Sequence, residues 1–324
     1  MKIFHCVDIH QSLPESIKGG VVAIGNFDGL HRGHCLIIKK VLQIAKGRPT
    51  LILTFEPHPR TILKPHSQIF KLSTRSIKVK ILKFMGLSAL IEYQFSLKLA
   101  ACSAEEFVTN VLVKWLKAKQ IVIGIDFQFG KEREGNGKFL QEKGLQYGFE
   151  VTLVNKLFDN NTKVISSSNI RNALENGLVD EAANLLGYRF TVESEVIYGQ
   201  KLGRKLGYPT ANMQLHSSVN LKKGVYAVRF RTQEGISYGG VASFGYRPTV
   251  IKNGVPLLET FVFDFSQEIY QQICAVSFFD FLRSEIKFDN LNALVTCMRK
   301  DEERSRTLLE NRKPLNKIDR MIAF

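Results

Sequence analysis

Several groups of residues in this 324-residue chain have types and spacings suited to chemistry. The first is Gly25-Asn26-Phe27-Asp28-Gly29-Leu30-His31-Arg32-Gly33-His34. Its glycines let the backbone turn sharply and approach a ligand closely. A helix starting at once supplies free N–H groups and a positive dipole end. His31 and His34, one helical turn apart, can donate hydrogen bonds to phosphate oxygens as charge builds up during transfer. The second group is Ile165-Ser166-Ser167-Ser168-Asn169-Ile170-Arg171. Its serines cap a helix expected from about Asn169 to Gly177, which gathers hydroxyls, N–H groups and Arg171 at a positive helix end. Taken alone, that string reads as an ordinary N-cap followed by a surface arginine; its pairing with the first group points to phosphate.

The third group runs from Gly199 to Asn212. Gly199, Gly203 and Gly207 with Lys201, Arg204 and Lys205 make a flexible cationic loop suited to covering phosphates. Thr210 and Asn212, two residues apart on an extended segment, offer uncharged oxygens on one side, enough for magnesium that keeps its phosphates and waters. A long hairpin connection accounts for the glycines but not for the whole string. Two further groups end strand-like runs. Glu56-Pro57-His58-Pro59 follows one, and Asp126-Phe127-Gln128-Phe129-Gly130 follows another. Two aromatics around a carboxylate can hold a flat ring by stacking, although Phe at a strand end also belongs to cores. His58 between two prolines suits a structural role as well as a binding one.

The elements that must position these residues follow from hydrophobic period. An apolar run at 21–24 leads into the first group, and a helical pattern spans 35–46. A buried strand at 50–55, a helix at 73–85, a strand at 89–93, a helix at 104–116, a strand at 121–125, a helix at 139–147 and a strand at 150–154 come next. Such alternation implies a doubly wound parallel sheet. Ligands then collect beyond the carboxyl ends of its strands. Residues 131–138, charged and Gly-containing, read as a mobile loop. Beyond Tyr188 the period changes, with strand-like runs at 189–198, 224–232, 236–244, 257–265 and 274–282. Short strands with few helices suggest an antiparallel barrel. The fold class is therefore α/β plus all-β, with a Rossmann-like domain over 1–187 and a small barrel with a C-terminal helix over 188–324. The tail at 291–324 is basic, and its end is expected to be disordered.

Composition is that of a globular protein, 44% hydrophobic and 23% charged. No apolar run reaches membrane-spanning length and the start lacks a signal-peptide pattern, so a cytoplasmic protein with no membrane partner is expected. The five cysteines are scattered without C-x-x-C spacing, against a disulfide framework or a zinc site. The net charge of +15 suits either nucleic-acid binding or an enzyme whose ligands are polyanions. Basic residues form only short clusters such as 78–83 and 299–306, and otherwise concentrate with Gly, Thr and Asn in phosphate-loop arrangements. That favours the enzyme and no nucleic acid.

The H-x-G-H loop after a first buried strand resembles the nucleotidyltransferase superfamily. Gly203-Arg204-x-Leu206-Gly207-x-Pro209-Thr210-Ala211-Asn212, then Gly224-Val225-Tyr226-Ala227-Val228, Arg247-Pro248-Thr249, Glu259 and Leu282-Arg283-x-Glu285-x-Lys287-Phe288 resemble a riboflavin kinase module. Together, in order from about Gly25 to Arg306, these motifs resemble the bifunctional prokaryotic riboflavin kinase/FMN adenylyltransferase (FAD synthetase) family. The resemblance implies phosphorylation of riboflavin to FMN on the barrel. Glu259 would be the general base, Thr210 and Asn212 would hold Mg2+, and the loop of Gly199, Gly203, Arg204, Lys205 and Gly207 would cover ATP. It implies adenylylation of FMN by a second ATP, giving FAD and pyrophosphate, in the nucleotidyltransferase-like domain. There His31 and His34 would be catalytic. Gly25, Phe27, Asp28, Gly29, Gly33, Ser167, Ser168 and Arg171 would bind ATP phosphates. Phe55, His58, Asp126, Phe127, Phe129 and, on the barrel, Arg283 would contact flavin. The partners expected are small molecules acting on a monomer or transient homo-oligomer.

Some positions depart from the family pattern: Leu30 and Arg32 beside His31, Ser168, Asn136, and Ser243-Phe244-Gly245 ahead of Arg247. None removes a group given a catalytic role. The alternatives left open are a monofunctional enzyme with one degenerate domain and an RNA-binding protein.

Overall fold

The computed structural model describes residues 1–65, 69–160, 162–199, 202–247 and 254–324. Lys201, Pro248 and Thr249, singled out above, lie outside the described residues, as do the side chains of Lys205 and Arg247. The chain divides into two compact units, Met1–Ile69 with Arg75–Ile165, and Phe70–Thr74 with Ser166–Phe324.

The first unit runs β1 (Lys2–Cys6), β2 (Val21–Ile24), α1 (Arg32–Ile44), β3 (Thr50–Glu56), α2 (Pro59–Leu63), α3 (Arg75–Phe84), β4 (Ala89–Gln94), α4 (Leu97–Ala100), α5 (Ala104–Glu106), β5 (Gln120–Gly124), α6 (Gly137–Tyr147) and β6 (Glu150–Val154). Its strands form a parallel sheet in the order β1-β4-β3-β2-β5-β6. β2 is buried along its whole length, as a strand covered on both faces must be, and so reads as an unbroken apolar run. From β2 the chain goes to β3 on one side, while β5 lies on the other. The carboxyl end of β2 is thus the point where strand order reverses, the place where open parallel sheets collect ligands.

Differences from the expected elements have local causes. β1 was not expected; it is an edge strand with mixed exposure, and gives no apolar run. α1 starts three residues earlier than its hydrophobic pattern because His31 caps it. The expected helix at 104–116 opens with a Ser103–Glu106 capping box and continues as a π-helix, Phe107–Trp115. There the backbone bond from Leu116 N–H to Val111 O, at 3.0 Å, spans five residues. Trp115 Nε1 donates to Gln11 O at 2.8 Å and ties this helix to the N-terminal segment. The expected mobile loop at 131–138 contains a short 3-10 turn, Lys131–Arg133, and a Phe129–Gly135 bridge.

The second unit opens with α7 (Ser167–Glu175) and α8 (Val179–Leu186). Then come β7 (Thr191–Ile197), α9 (Leu202–Lys205), β8 (Thr210–Gln214), β9 (Gly224–Arg231), β10 (Ser237–Arg247), β11 (Val255–Val262), β12 (Ile273–Arg283), α10 (Leu291–Asn311) and α11 (Lys317–Ala323). Antiparallel pairing closes the six strands into a barrel, β10-β11-β8-β7-β12-β9. Tyr226, Phe230, Phe244, Phe278, Leu258 and Met213 fill it, each fully buried. Alternation along β11, with Leu258 and Thr260 buried and Glu259 exposed, is the period of a strand with one face inward.

The expected disorder of the tail is corrected by burial. Asp319 of α11 is 0% exposed and Arg189 3%. Asp319 Oδ1 accepts from Arg189 N–H at 2.8 Å, and its other oxygen accepts from the Arg189 guanidinium and from Leu315 N–H. The guanidinium also stacks over Phe279 and Phe324. Removing one member of such a buried pair leaves the other charge uncompensated and costs about 3–5 kcal/mol, which is how a short helix is held to the barrel.

The segment Phe70–Thr74, although between elements of the first unit, belongs by its contacts to the second. Phe70 packs edge-on against Phe190 at 5.6 Å. Its carbonyl accepts from Arg171 Nε at 2.6 Å, and Thr74 Oγ1 donates to Glu193 of β7 at 2.6 Å. Among the described residues no helix is long and apolar enough to cross a membrane.

Candidate active sites

In the first unit the loop after β2 is built by backbone in unusual states. Phe27, Gly29 and Leu30 all have positive φ, 47°, 81° and 38°. A side chain in that region costs on the order of 1–3 kcal/mol. Here the strain is offset by burial, since Phe27 is 1% and Leu30 0% exposed. The loop ends at His31, the N-cap of α1, whose Nδ1 accepts the His34 N–H at 3.3 Å. An imidazole accepting at Nδ1 carries its proton at Nε2, so His31 meets a ligand as a donor. The two rings stack at 3.6 Å with 19° between planes, and the edge of Phe27 meets His34 at 5.2 Å. A Cβ on Gly33 would come within 3.2 Å of the His31 ring, so a glycine there lets the rings stack.

His34 is held well below the usual imidazole range, first by burial and then by the charges of His31 and Lys78. Its Nδ1 is buried and has no hydrogen-bond partner among the described residues. A neutral ring facing the start of a helix suits hydrogen bonding to an anion and adds to the free N–H groups there. Asp28 is also buried, at 7% exposure.

The strand-end aromatics divide. Phe129 is core, packed against Phe107 and Phe139, whereas Phe127 is half-buried and stacks on Phe129 at 5.6 Å. Asp126 is exposed and pairs with Lys156 at 3.2 Å. Phe55, half-buried, meets Phe95 and Phe107. His58 caps α2 by accepting from Arg60 N–H at 3.1 Å.

In the second unit Ser166, not Ser167 or Ser168, caps α7 by accepting from Asn169 N–H at 3.2 Å. The helix therefore begins at Ser167, two residues before its expected start. Ser167 and Ser168 fall in its first turn, Ser168 exposed. Arg171 follows one turn on, its Nε committed to Phe70 O.

The connection from β7 to β8 was expected as a flexible loop and instead holds the short helix α9. A Cβ on Gly203 would stand 2.3 Å from Tyr208 O, and one on Gly199 2.6 Å from Asn212 Nδ2; both glycines permit close approach. Arg204 is exposed and Gly207 has φ 81°. Asn212, 5% exposed, directs Nδ2 to Thr210 O and Oγ1 at 3.1 and 3.3 Å. Its Oδ1 is buried without a hydrogen-bond partner among the described residues. That bare oxygen and the Thr210 hydroxyl two residues away are uncharged oxygens of the kind a hard cation takes, so the residue types present fit magnesium. Asn212 is registered directly opposite Glu259 of β11, and Glu259 opposite Ser243 of β10. The three thus share the outer face of the sheet.

Arg283, at the end of β12, is held by Asp301 of α10 through Nε at 3.0 and 3.1 Å and Nη2 at 2.8 Å. Sequence reasoning missed Asp301, since nothing in its surroundings marks one acid among several in a charged helix. It also missed why position 245 is glycine: a Cβ would lie 2.6 Å from Glu285 Oε1.

Residues 13–169 match the sequence model of the family described as FAD synthetase, and residues 186–309 that of riboflavin kinase. The bifunctional riboflavin kinase/FMN adenylyltransferase of Haemophilus influenzae is 38% identical over 298 residues, 91% of this chain and 96% of that protein. That of Listeria monocytogenes is 38% identical over 290 residues, 88% and 91% of the two chains. That of Escherichia coli K12 is 33% identical over 309 residues, 94% and 98%. A crystal structure titled as a macrolide-efflux protein from Streptococcus pneumoniae superposes with a TM-score of 0.85 at 30% identity, covering 94% of this chain and 99% of that one. With both units matched in order and nearly the full length of these relatives spanned, the chain belongs to the bifunctional riboflavin kinase/FMN adenylyltransferase family.

Proposed function

We propose that this chain makes FMN from riboflavin and ATP on the barrel, and FAD from FMN and a second ATP in the α/β domain, with the functional division between residues 1–187 and 188–324. The observation that carries the reading is the register pair Asn212–Glu259. It puts an oxygen without a hydrogen-bond partner among the described residues across from a carboxylate exposed on the same face.

In the first reaction Glu259 takes the proton of the riboflavin 5′-hydroxyl as its oxygen attacks the γ-phosphorus of ATP, and ADP leaves. Such transfer needs alignment and charge neutralisation more than covalent catalysis. Thr210 and Asn212 would hold Mg2+, which when bound neutralises phosphate charge. Gly199, Gly203, Arg204, Lys205 and Gly207 cover the ATP phosphates. Arg283, fixed by Asp301, lies near the flavin.

In the second reaction an oxygen of the FMN phosphate attacks the α-phosphorus of ATP, and the bond to the β-phosphate breaks to release pyrophosphate. His31 donates from Nε2 and His34 adds a second imidazole, both strengthening as charge develops. Gly25, Phe27, Asp28, Gly29 and Gly33 shape the cradle. Ser167, Ser168 and Arg171 bind phosphates, and Phe55, His58, Asp126, Phe127 and Phe129 form the flavin side. Of the last two, Phe127 offers the ring and Phe129 supports it.

The five unpaired thiols suit a reducing, cytoplasmic setting, and we read the chain there as a monomer or transient homo-oligomer, checked by light scattering. The test of function is chromatographic. Riboflavin, ATP and magnesium should yield FMN first and FAD after it. FMN alone would overturn the adenylylation reading, and no product from either riboflavin or FMN would overturn both.

A further inference from the structure

The first unit buries a lysine that the reading above does not use. α3 packs Ile77, Ile81 and Leu82 inward, and Lys78 stands on the same buried stripe at 9% exposure. A helix stripe of this kind takes apolar residues, and a buried ammonium is costly unless charge or hydrogen bonding compensates it. The sequence counts Lys78 among the basic residues of 78–83, a cluster with the look of a solvated face.

Its position gives the burial a purpose. Lys78 Nζ donates to the carbonyl of Asn26 at 3.4 Å, and Thr54 Oγ1 of β3 donates to the same carbonyl at 3.1 Å. Asn26 is the residue between Gly25 and the strained Phe27, where the chain leaves β2 for the histidine loop. Two elements, β3 and α3, therefore hold one peptide group at the root of the loop. The Lys78 charge also reaches His34 at the far end of that loop. Burial is the first cause of the depressed imidazole, and His31 and Lys78 are the titratable groups that act on it after burial.

We propose that Lys78 is a positioning residue of the adenylylation site, a buried cation that pins the Asn26 carbonyl at the root of the histidine loop and places positive charge near His34. The inference rests on the reading of that loop as the adenylylation site. A neutral His34 donates a hydrogen bond to phosphate without adding a second titrating charge, and Lys78 stands close enough for its charge to act on that ring. The loop then receives a polyphosphate in one conformation over the physiological pH range.

The test uses the full chain with Lys78→Met and Lys78→Arg. FAD formation from FMN and ATP is followed across pH. Riboflavin phosphorylation by the same samples reports folding, and the His34 titration is read by NMR of labelled histidine. In Lys78→Met we expect FAD formation to fall about ten- to a hundred-fold, the size of effect that a misplaced site produces. The His34 titration should move up by about half a unit or more as one opposing charge is lost. Riboflavin phosphorylation should be unchanged, and Lys78→Arg should restore both other readouts. Lys78→Gln replaces Met if that variant fails to fold. An unmoved His34 titration overturns the proposal. So does a moved titration with undiminished FAD formation. A wild-type chain that forms no FAD overturns the adenylylation reading instead, and the titration still decides whether Lys78 sets the state of the loop.

Discussion

In the α/β unit the groups of the candidate site are paired with one another before any substrate arrives. His31 caps its own helix, His34 stacks on His31, and burial of Phe27 and Leu30 supports the strained loop. On the barrel the candidate groups lie across three strands on the outer face of the sheet. One of them, Asn212, keeps a buried oxygen without a partner among the described residues. The difference follows from the folds. A parallel sheet brings strand ends and helix starts to one edge, where the backbone itself binds anions. A closed barrel has no such edge and must use strand faces and a long connection.

The comparison predicts separable losses. The largest is expected from Glu259→Ala, which should lower FMN formation by about 10²–10⁴-fold, the usual contribution of a general base, while conversion of FMN to FAD stays intact. Loss of both in a folded variant would refute two independent sites. His31→Ala should do the reverse, lowering FAD formation by about 10²–10³-fold. It should also cost about 0.5–2 kcal/mol through the lost cap, visible as a lower urea midpoint. A variant stable as wild type would show that the cap is not part of the site's construction. Asn212→Ala should raise the magnesium needed for half-maximal FMN formation by about 10–100-fold without altering the magnesium dependence of FAD formation. An unchanged requirement would remove Asn212 from the cation site.

The smallest effect is one of pH. His34 lies well below 6.5 in the folded chain, so below that pH the unfolded chain binds the extra proton. Stability of the α/β unit should fall as pH drops from about 6.5 toward the folded value, by at most about 1.4 kcal/mol per pH unit. Trp115, the sole tryptophan of the sequence and part of this unit, gives the fluorescence signal for urea unfolding. His34→Gln should flatten the slope, and an equal slope in both proteins would show that His34 titrates normally.

Much of this arrangement was legible in residue order, for physical reasons that differ between the two units. β2, β3 and β5 are buried runs and announce themselves. The histidine loop sits where an apolar strand meets a helix pattern, so type and place agree. Glu259 is named by the family resemblance alone, and the burial pattern of β11 then exposes it between Leu258 and Thr260. What stayed hidden depends on contacts distant in sequence. β1 pairs at an edge and has no pattern of its own. The capping role fell to Ser166 because three serines in a row offer equal chemistry and only backbone geometry chooses among them. The order of the tail rests on Arg189 finding Asp319, 130 residues away, a pairing no local period reveals.

The short segment Phe70–Thr74 limits how this protein can be divided. A gene fragment beginning at Ser166 would encode every strand of the barrel, yet it would lack the ring that covers Phe190, the hydroxyl that meets Glu193 and the carbonyl that holds Arg171. The second unit is thus discontinuous in the gene although compact in space. A single recombination point between the halves would hand on the barrel without this supporting segment, which ties the inheritance of the two activities in this chain more closely than a simple fusion would.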